Sequence, residues 1–185
     1  AFKVYEELAM YYRDRKDTLK TIEYYERFVL HDSMHSRILG FLSGWHRITG
    51  NAEKAFAYGE KAIRYGTKAP EIYYQIGVDY TNHGKFDTAL TLMKKSLDLD
   101  PSNPMVANSI GTIYMRKRQD YKSALRYFIH TIRLDSLYAQ AYLNSGFCLV
   151  KLNEYTQARP YFERFFFLMP DDPRREKVFE LLSHQ

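Results

Sequence analysis

The feature that most constrains this chain is that it repeats. Three stretches end alike, at Leu97-Asp98-Leu99-Asp100-Pro101, Ile132-Arg133-Leu134-Asp135-Ser136 and Phe166-Phe167-Leu168-Met169-Pro170. Three others align upstream of them, Ile76-Gly77-Val78-Asp79-Tyr80, Ile110-Gly111-Thr112-Ile113-Tyr114 and Ser145-Gly146-Phe147-Cys148-Leu149. Extending that register opens repeats at residues 2, 36, 70, 104 and 139, a spacing of 34, 34, 34 and 35. A period of this length means that each repeat is one supersecondary unit, which buries its apolar face only by stacking on its neighbours.

Each repeat reads as two helices. In 70–103, Tyr73, Ile76, Gly77 and Tyr80 fall at i, i+3, i+4 and i+7, one stripe of a helix. Asn82-His83-Gly84 marks a turn, because glycine takes the backbone conformation that ends a helix. Asp87 is the expected N-cap of a second helix. Ala89, Met93, Ser96 and Leu97 form its stripe and Pro101 stops it. No segment sustains strand alternation, so the expected class is all-α. After Pro173, residues 174–182 read as one amphipathic helix with Val178, Phe179, Leu181 and Leu182 apolar; such an element caps the last exposed face of an array.

Small residues recur at two positions that let paired helices approach: Ala9, Ser43, Gly77, Gly111 and Gly146 at the eighth, and Thr21, Ala55, Ala89, Ala124 and Ala158 at the twentieth, with one residue inserted in the fourth turn. The eleventh carries Tyr12, His46, Tyr80, Tyr114 and Leu149, and Phe86, Tyr121 and Tyr155 open second helices. Over residues 2–172 this pattern resembles the tetratricopeptide (TPR) family. The resemblance implies a right-handed α-solenoid of antiparallel helix pairs, a TPR superhelix. It would form a single array with repeats 2–35, 36–69, 70–103, 104–138 and 139–172 and a capping helix at 173–185. The first two repeats depart from the pattern, with Thr21 and Phe28 where small residues are usual and His46 and Gly59 where rings are usual. Pro160, inside the last second helix, is expected to shift its start or bend it.

Catalytic chemistry is absent from the sequence. His31 and His35 have the spacing of a metal pair but straddle a junction between repeats, where histidines in a polar turn are the simpler reading. Cys148 is the only cysteine and lies on an apolar stretch, which reads as a small buried hydrophobe. It also excludes an intrachain disulfide and a cysteine-rich metal site. No phosphate-binding glycine loop or nucleophile elbow is present, so neither an enzyme nor a cofactor or metal is expected. No run approaches the roughly 20 apolar residues that span a bilayer. The chain opens at Ala1 and not at Met, which leaves room for a longer parent protein. The compartment stays open, with the cytoplasm favoured and an exported location retained.

In the family that the chain resembles, first helices line a concave groove. With the fourth, seventh, eighth and eleventh positions in the core, the groove is expected to present Arg47, Tyr74, Gln75, Val78, Asn82, Asn108, Ser109, Thr112, Arg116, Asn144, Phe147 and Lys151, with Leu143 beside them. Amide side chains both donate to and accept from a peptide backbone, and rings anchor interfaces. The expected function is therefore a non-catalytic protein–protein interaction module, or adaptor, that binds a partner peptide or protein segment. Some members capture a chaperone tail with a clamp of lysines, asparagines and an arginine. The corresponding positions here are Glu6, Met10, Phe41, Glu71 and Gln75, and the two later frames match no better, so that mode is not expected. Two alternatives remain: an RNA-binding helical-repeat protein, or a regulatory or targeting part of a larger enzyme. The second and fourth repeats each carry six basic against two acidic residues, and Arg116-Lys117-Arg118 with Lys122 and Arg126 is the most basic place. The first repeat exposes Phe2, Val4, Tyr5, Tyr11, Tyr12 and Tyr24 along an uncapped edge, a candidate face for self-association.

Overall fold

A computed structural model describes residues 2–183. Among the described residues the secondary structure is entirely helical: α1 Lys3–Asp14, α2 Thr18–Val29, α3 Ser36–Ile48, α4 Ala52–Arg64, α5 Pro70–Asn82, α6 Phe86–Leu99, α7 Pro104–Ile113, α8 Tyr121–Leu134, α9 Ala139–Lys151, α10 Tyr155–Leu168 and α11 Arg175–Ser183, with a π turn over Tyr114–Arg118. They form two compact bodies, one ending at Leu99 and the other beginning at Asp100. The first holds the hairpins α1–α2, α3–α4 and α5–α6; the second holds α7–α8 and α9–α10, with α11 packed on α10. No helix among the described residues is long and apolar enough to cross a membrane.

The turn inside each hairpin is built the same way. Lys16, Gly50, Gly84, Gln119 and Asn153 adopt φ of 60, 82, 74, 53 and 63°, and their spacing repeats the sequence period. In four turns the next N–H reaches back five residues: Asp17 to the Tyr12 carbonyl, Asn51 to His46, Lys85 to Tyr80 and Glu154 to Leu149, at 2.8–3.0 Å. This closes the last helical turn with a left-handed residue. In the fourth hairpin Asp120 N–H reaches back six residues to the Tyr114 carbonyl, at 3.1 Å. The residue inserted in that repeat is thus absorbed as the π turn, a wider coil that holds one extra residue. A left-handed conformation costs a side-chain-bearing residue about 1 kcal/mol. Gln119→Gly is therefore expected to raise stability by up to about 0.5 kcal/mol, after glycine's greater freedom in the unfolded chain is counted. Urea unfolding checks this, and a lowered midpoint would show that the glutamine side chain holds the turn.

Second helices start two residues after the left-handed one, and the residue between is the capping site. Asp17, Asn51 and Asp120 occupy that site, and their side chains accept from the N–H of Lys20, Lys54 and Ser123 at 3.0–3.1 Å. The expectation for α6 needs correction. Gly84 sets the turn, α6 begins at Phe86, and Asp87 lies in its first turn, while the capping site is held by Lys85, which has no side-chain acceptor.

Packing within each hairpin follows a size trade. A Cβ placed on Gly77, Gly111 or Gly146 would come within 2.8 Å of Met93, 2.8 Å of the Phe128 ring and 2.7 Å of the Phe162 ring. The second hairpin inverts the trade. Gly59 takes the ring's place and receives Ile76, whose Cδ1 would lie 2.4 Å from an added Cβ, while Ser43 fills the glycine's place and donates to the Ala55 carbonyl at 2.7 Å. His46 does a ring's work: it stacks on Tyr58 at 5.5 Å, as Tyr12 does on Tyr24 at 5.4 Å and Tyr114 on Tyr127 at 5.7 Å. Thr21 is buried because its hydroxyl donates back to the Asp17 carbonyl at 2.8 Å, and Phe28 is buried edge-on to Phe2 and His35. Pro160 lies within α10, which continues to Leu168. In α11, Val178 and Leu182 are buried against Phe165 and Phe166; the last two residues assigned to the cap, His184 and Gln185, lie outside the described residues.

Candidate functional site

In the first body, α3 and α5 lie side by side and leave a cleft of about 630 Å³ between them, which residues 66–69 also line. Gly40, Phe41, Gly44, Trp45 and Ile48 of α3 form one wall, and Glu71, Ile72 and Gln75 of α5 form the other. Two glycines one turn apart inside a helix cost it about 1 kcal/mol each relative to alanine. Packing in the hairpin does not require them. A Cβ on Gly44 would meet nothing within 4 Å, and one on Gly40 would make an ordinary 3.6 Å contact with Ile72. Their effect is to bare the α3 backbone along the cleft. Phe41 is 42% and Ile48 76% exposed, and Gln75 Oε1 is buried with no hydrogen-bond partner.

Of the groove residues read from sequence, only Gln75 lines this cleft. Arg47 is engaged: its guanidinium grips the Asp79 carboxylate through two bonds of 3.2 and 2.7 Å, tying α3 to α5. Tyr74 and Val78 are half-buried and Asn82 is exposed. Gly40, Phe41, Gly44 and Ile48 occupy groove positions of the same register, yet a search for polar and aromatic ligand contacts passes over glycines. The legible signal was the Gly40/Gly44 pair within an amphipathic helix.

The first body also holds a half-buried polar cluster. Glu26 Oε1 accepts from Lys54 Nζ at 2.8 Å and from Tyr58 at 3.3 Å, and lies 3.0 Å from His46 Nε2. Burial alone would raise the Glu26 pKa; the hydrogen bonds and charges of Lys54 and His46 outweigh it and hold the carboxyl below its ordinary range. Burial, followed by the Glu26 charge, pushes Tyr58 up to about 12. The cluster joins α2, α3 and α4, and its role there is structural.

In the second body the expected groove residues scatter. Ser109 and Thr112 turn their hydroxyls back to the carbonyls of Met105 and Asn108, at 2.8 and 2.9 Å. Asn108 is half-buried, and its Oδ1 has no partner. Asn144 is not on an open face: it is 4% exposed and accepts from the Gln140 amide at 2.9 Å. Leu143 is likewise buried. Arg116 and Lys151 are exposed. Phe147 packs edge-on to Phe162 at 5.2 Å and borders a second hollow of about 530 Å³ with Arg174, Lys177, Val178, Glu180 and Leu181. Cys148 is buried, and desolvation pushes its thiol up to about 12, far from a reactive thiolate. The rings of His31 and His35 pack on aromatic neighbours, His31 on Tyr5 at 5.9 Å and His35 on Phe28 at 5.4 Å.

Known proteins share this fold. Family models of the tetratricopeptide repeat match residues 70–103 and 114–173, together about half of the chain. Anaphase-promoting complex subunit 3 of Schizosaccharomyces pombe is 27% identical over 127 residues, which are 69% of this chain and 19% of that protein. The chain thus spans about a fifth of the length of that relative. Among solved structures, YrrB, described as a TPR protein with an unusual peptide-binding site, superposes with a TM-score of 0.77 at 17% identity, covering 97% of this chain and 89% of that one. The MamA protein superposes with a TM-score of 0.75 at 17% identity, covering 95% and 94%. The shared hairpin, its small-residue register and the family models agree: the chain belongs to the tetratricopeptide repeat family.

Proposed function

We propose that the chain is a non-catalytic protein-interaction module that holds an extended peptide segment in the cleft between α3 and α5. The observation that carries this reading is the Gly40/Gly44 pair, which bares a helix backbone beside exposed Phe41 and Ile48 where packing in the hairpin asks for no glycine. A peptide backbone can approach such a surface closely. Phe41, Trp45 and Ile48 then offer apolar contact to its side chains, and the side-chain amide of Gln75, which lines the cleft, is the polar group beside the peptide backbone. The likeness to YrrB, whose description names a peptide-binding site, supports the same reading.

Selection from a random peptide display library tests it. Wild-type protein is expected to enrich a related set of peptides. Gly44→Phe fills the cleft from a site with free space around it, so its helicity and melting temperature should match wild type. Its affinity for the selected peptides should fall by about tenfold or more, the effect of blocking a central contact. Gln75→Ala should weaken the same peptides by roughly fivefold, the worth of one hydrogen bond. Selected peptides that bind a folded Gly44→Phe protein as well as wild type would refute the assignment.

A further inference from the structure

We infer that the segment held between α3 and α5 is proline-rich and lies in the cleft as a polyproline II helix; this rests on the cleft being the peptide site. Phe41, Trp45 and Ile48 line the cleft from α3, and Phe41 and Ile48 are exposed. These two residues are two helical turns apart, about 10.5 Å along the axis at about 1.5 Å per residue. A polyproline II helix rises about 3.1 Å per residue and turns once in about three, so its side chains return to one face about every 9.3 Å. Residues i and i+3 of such a segment therefore meet Phe41 and Ile48 together. A β-strand returns to one face at every second residue, about 6.7 Å apart and then about 13 Å, and neither step matches.

Hydrogen bonding and charge favour the same occupant. Beyond the first turns of α3 and α5, the polar side chains that line the cleft are Trp45 and Gln75. Gln75 Oε1 is buried, which leaves Nε2 as the open end of that amide, and neither Nε2 nor Trp45 Nε1 has an acceptor among the described residues. Both groups are N–H donors. An ordinary segment brings an N–H at every residue, and each one shut in without an acceptor weakens binding. Proline brings a carbonyl and no N–H, so it answers these donors and asks for no acceptor. Aromatic-lined grooves hold such segments because the polyproline II form is set before binding. The charged residues of the cleft select no sign: Arg37 is paired with Glu6 at 3.2 Å, and Lys68 and Glu71 are one cation and one anion. An uncharged segment is the complement of that lining.

The test uses the whole chain and three labelled peptides of equal length: one repeating Leu-Pro-Pro, one of the same composition with its leucines consecutive, and one alternating Val and Thr. Fluorescence anisotropy should show saturable binding of the Leu-Pro-Pro peptide, unchanged between about 50 and 500 mM salt because no charges meet. The permuted peptide should bind about fivefold more weakly or worse, and the Val-Thr peptide about tenfold more weakly or worse. Trp45→Phe keeps a ring and removes the N–H, and should weaken the Leu-Pro-Pro peptide by roughly fivefold, the worth of one hydrogen bond. The permuted or Val-Thr peptide binding as tightly as Leu-Pro-Pro would overturn the inference. So would Leu-Pro-Pro failing to bind, or binding a folded Gly44→Phe protein equally well. If peptides without proline, selected from the display library, still change Trp45 emission and are lost in Gly44→Phe, the inference falls and the cleft remains the peptide site. If no selected peptide is sensitive to Gly44→Phe, the assignment of the cleft falls and takes the inference with it.

Discussion

Phe162→Ala is expected to cost about 3–5 kcal/mol of unfolding free energy, the usual range for removing a fully buried ring. Phe162 has no exposed surface and lies in the cluster that also holds Phe165, Phe166, Val178 and Leu182. Its ring rests on the bare backbone of Gly146, where an added Cβ would come within 2.7 Å of two ring atoms. Gly146→Ala alone should therefore be destabilising by about 1–3 kcal/mol from overpacking, less the roughly 1 kcal/mol that alanine returns in helix propensity. The two changes should not add. In the Phe162→Ala background the ring is gone, the clash vanishes, and Gly146→Ala should become neutral or stabilising. A double-mutant cycle by chemical denaturation reads this coupling directly. Additive losses would mean that Gly146 serves some purpose other than seating the ring. The same logic applies to Gly111 under Phe128.

Glu26→Ala should give the next largest effect, about 1–3 kcal/mol at neutral pH, because it leaves the buried His46 and the half-buried Tyr58 without their shared acceptor. The effect should depend on pH with a definite sign. Glu26 has a lower pKa in the folded chain than in the unfolded one. Its contribution is therefore fully present above the unfolded carboxyl pKa of about 4.3 and is lost as pH falls through the folded value. Wild type and Glu26→Ala should differ most above about pH 5 and converge in acid. Urea unfolding at a series of pH values checks this, and a gap that stays constant down to the acid limit would mean that the charge of Glu26 contributes nothing.

The repeat was legible because stacking makes the same demands every 34 residues, and the small residues facing rings state that demand openly. The turns were legible only where glycine filled them. Gly84 announces its conformation, whereas Lys16 and Gln119 hold the same left-handed backbone without any compositional sign. The inserted residue showed as a spacing of 35, but its form as a π turn depends on how the Asp120 N–H finds the Tyr114 carbonyl, a contact no spacing reveals. His46 and Gly59 looked like departures when each position was judged alone. They make sense as partners, because His46 stacks on Tyr58 and Gly59 admits Ile76 of α5.

The candidate site was less legible for a related reason. Position counting assigns a side chain to a face but not to a partner. It placed Arg47 in the groove and did not show that Asp79, on the next first helix, takes its guanidinium. It placed Asn144 there too, although Gln140 one turn earlier engages its amide and the residue is buried. The glycines that open the α3/α5 cleft carry no functional group, so a reading based on what side chains offer passes over residues whose contribution is space.

The α3/α5 cleft contains the chain's single tryptophan, Trp45, so titrating a selected peptide against intrinsic tryptophan fluorescence tests the central claim most directly. A saturable change in Trp45 emission is expected, with a midpoint that matches the affinity measured by the peptide's own label, and it should be absent in Gly44→Phe. Tight binding reported by the label with no change in Trp45 emission would place the peptide elsewhere and contradict the account.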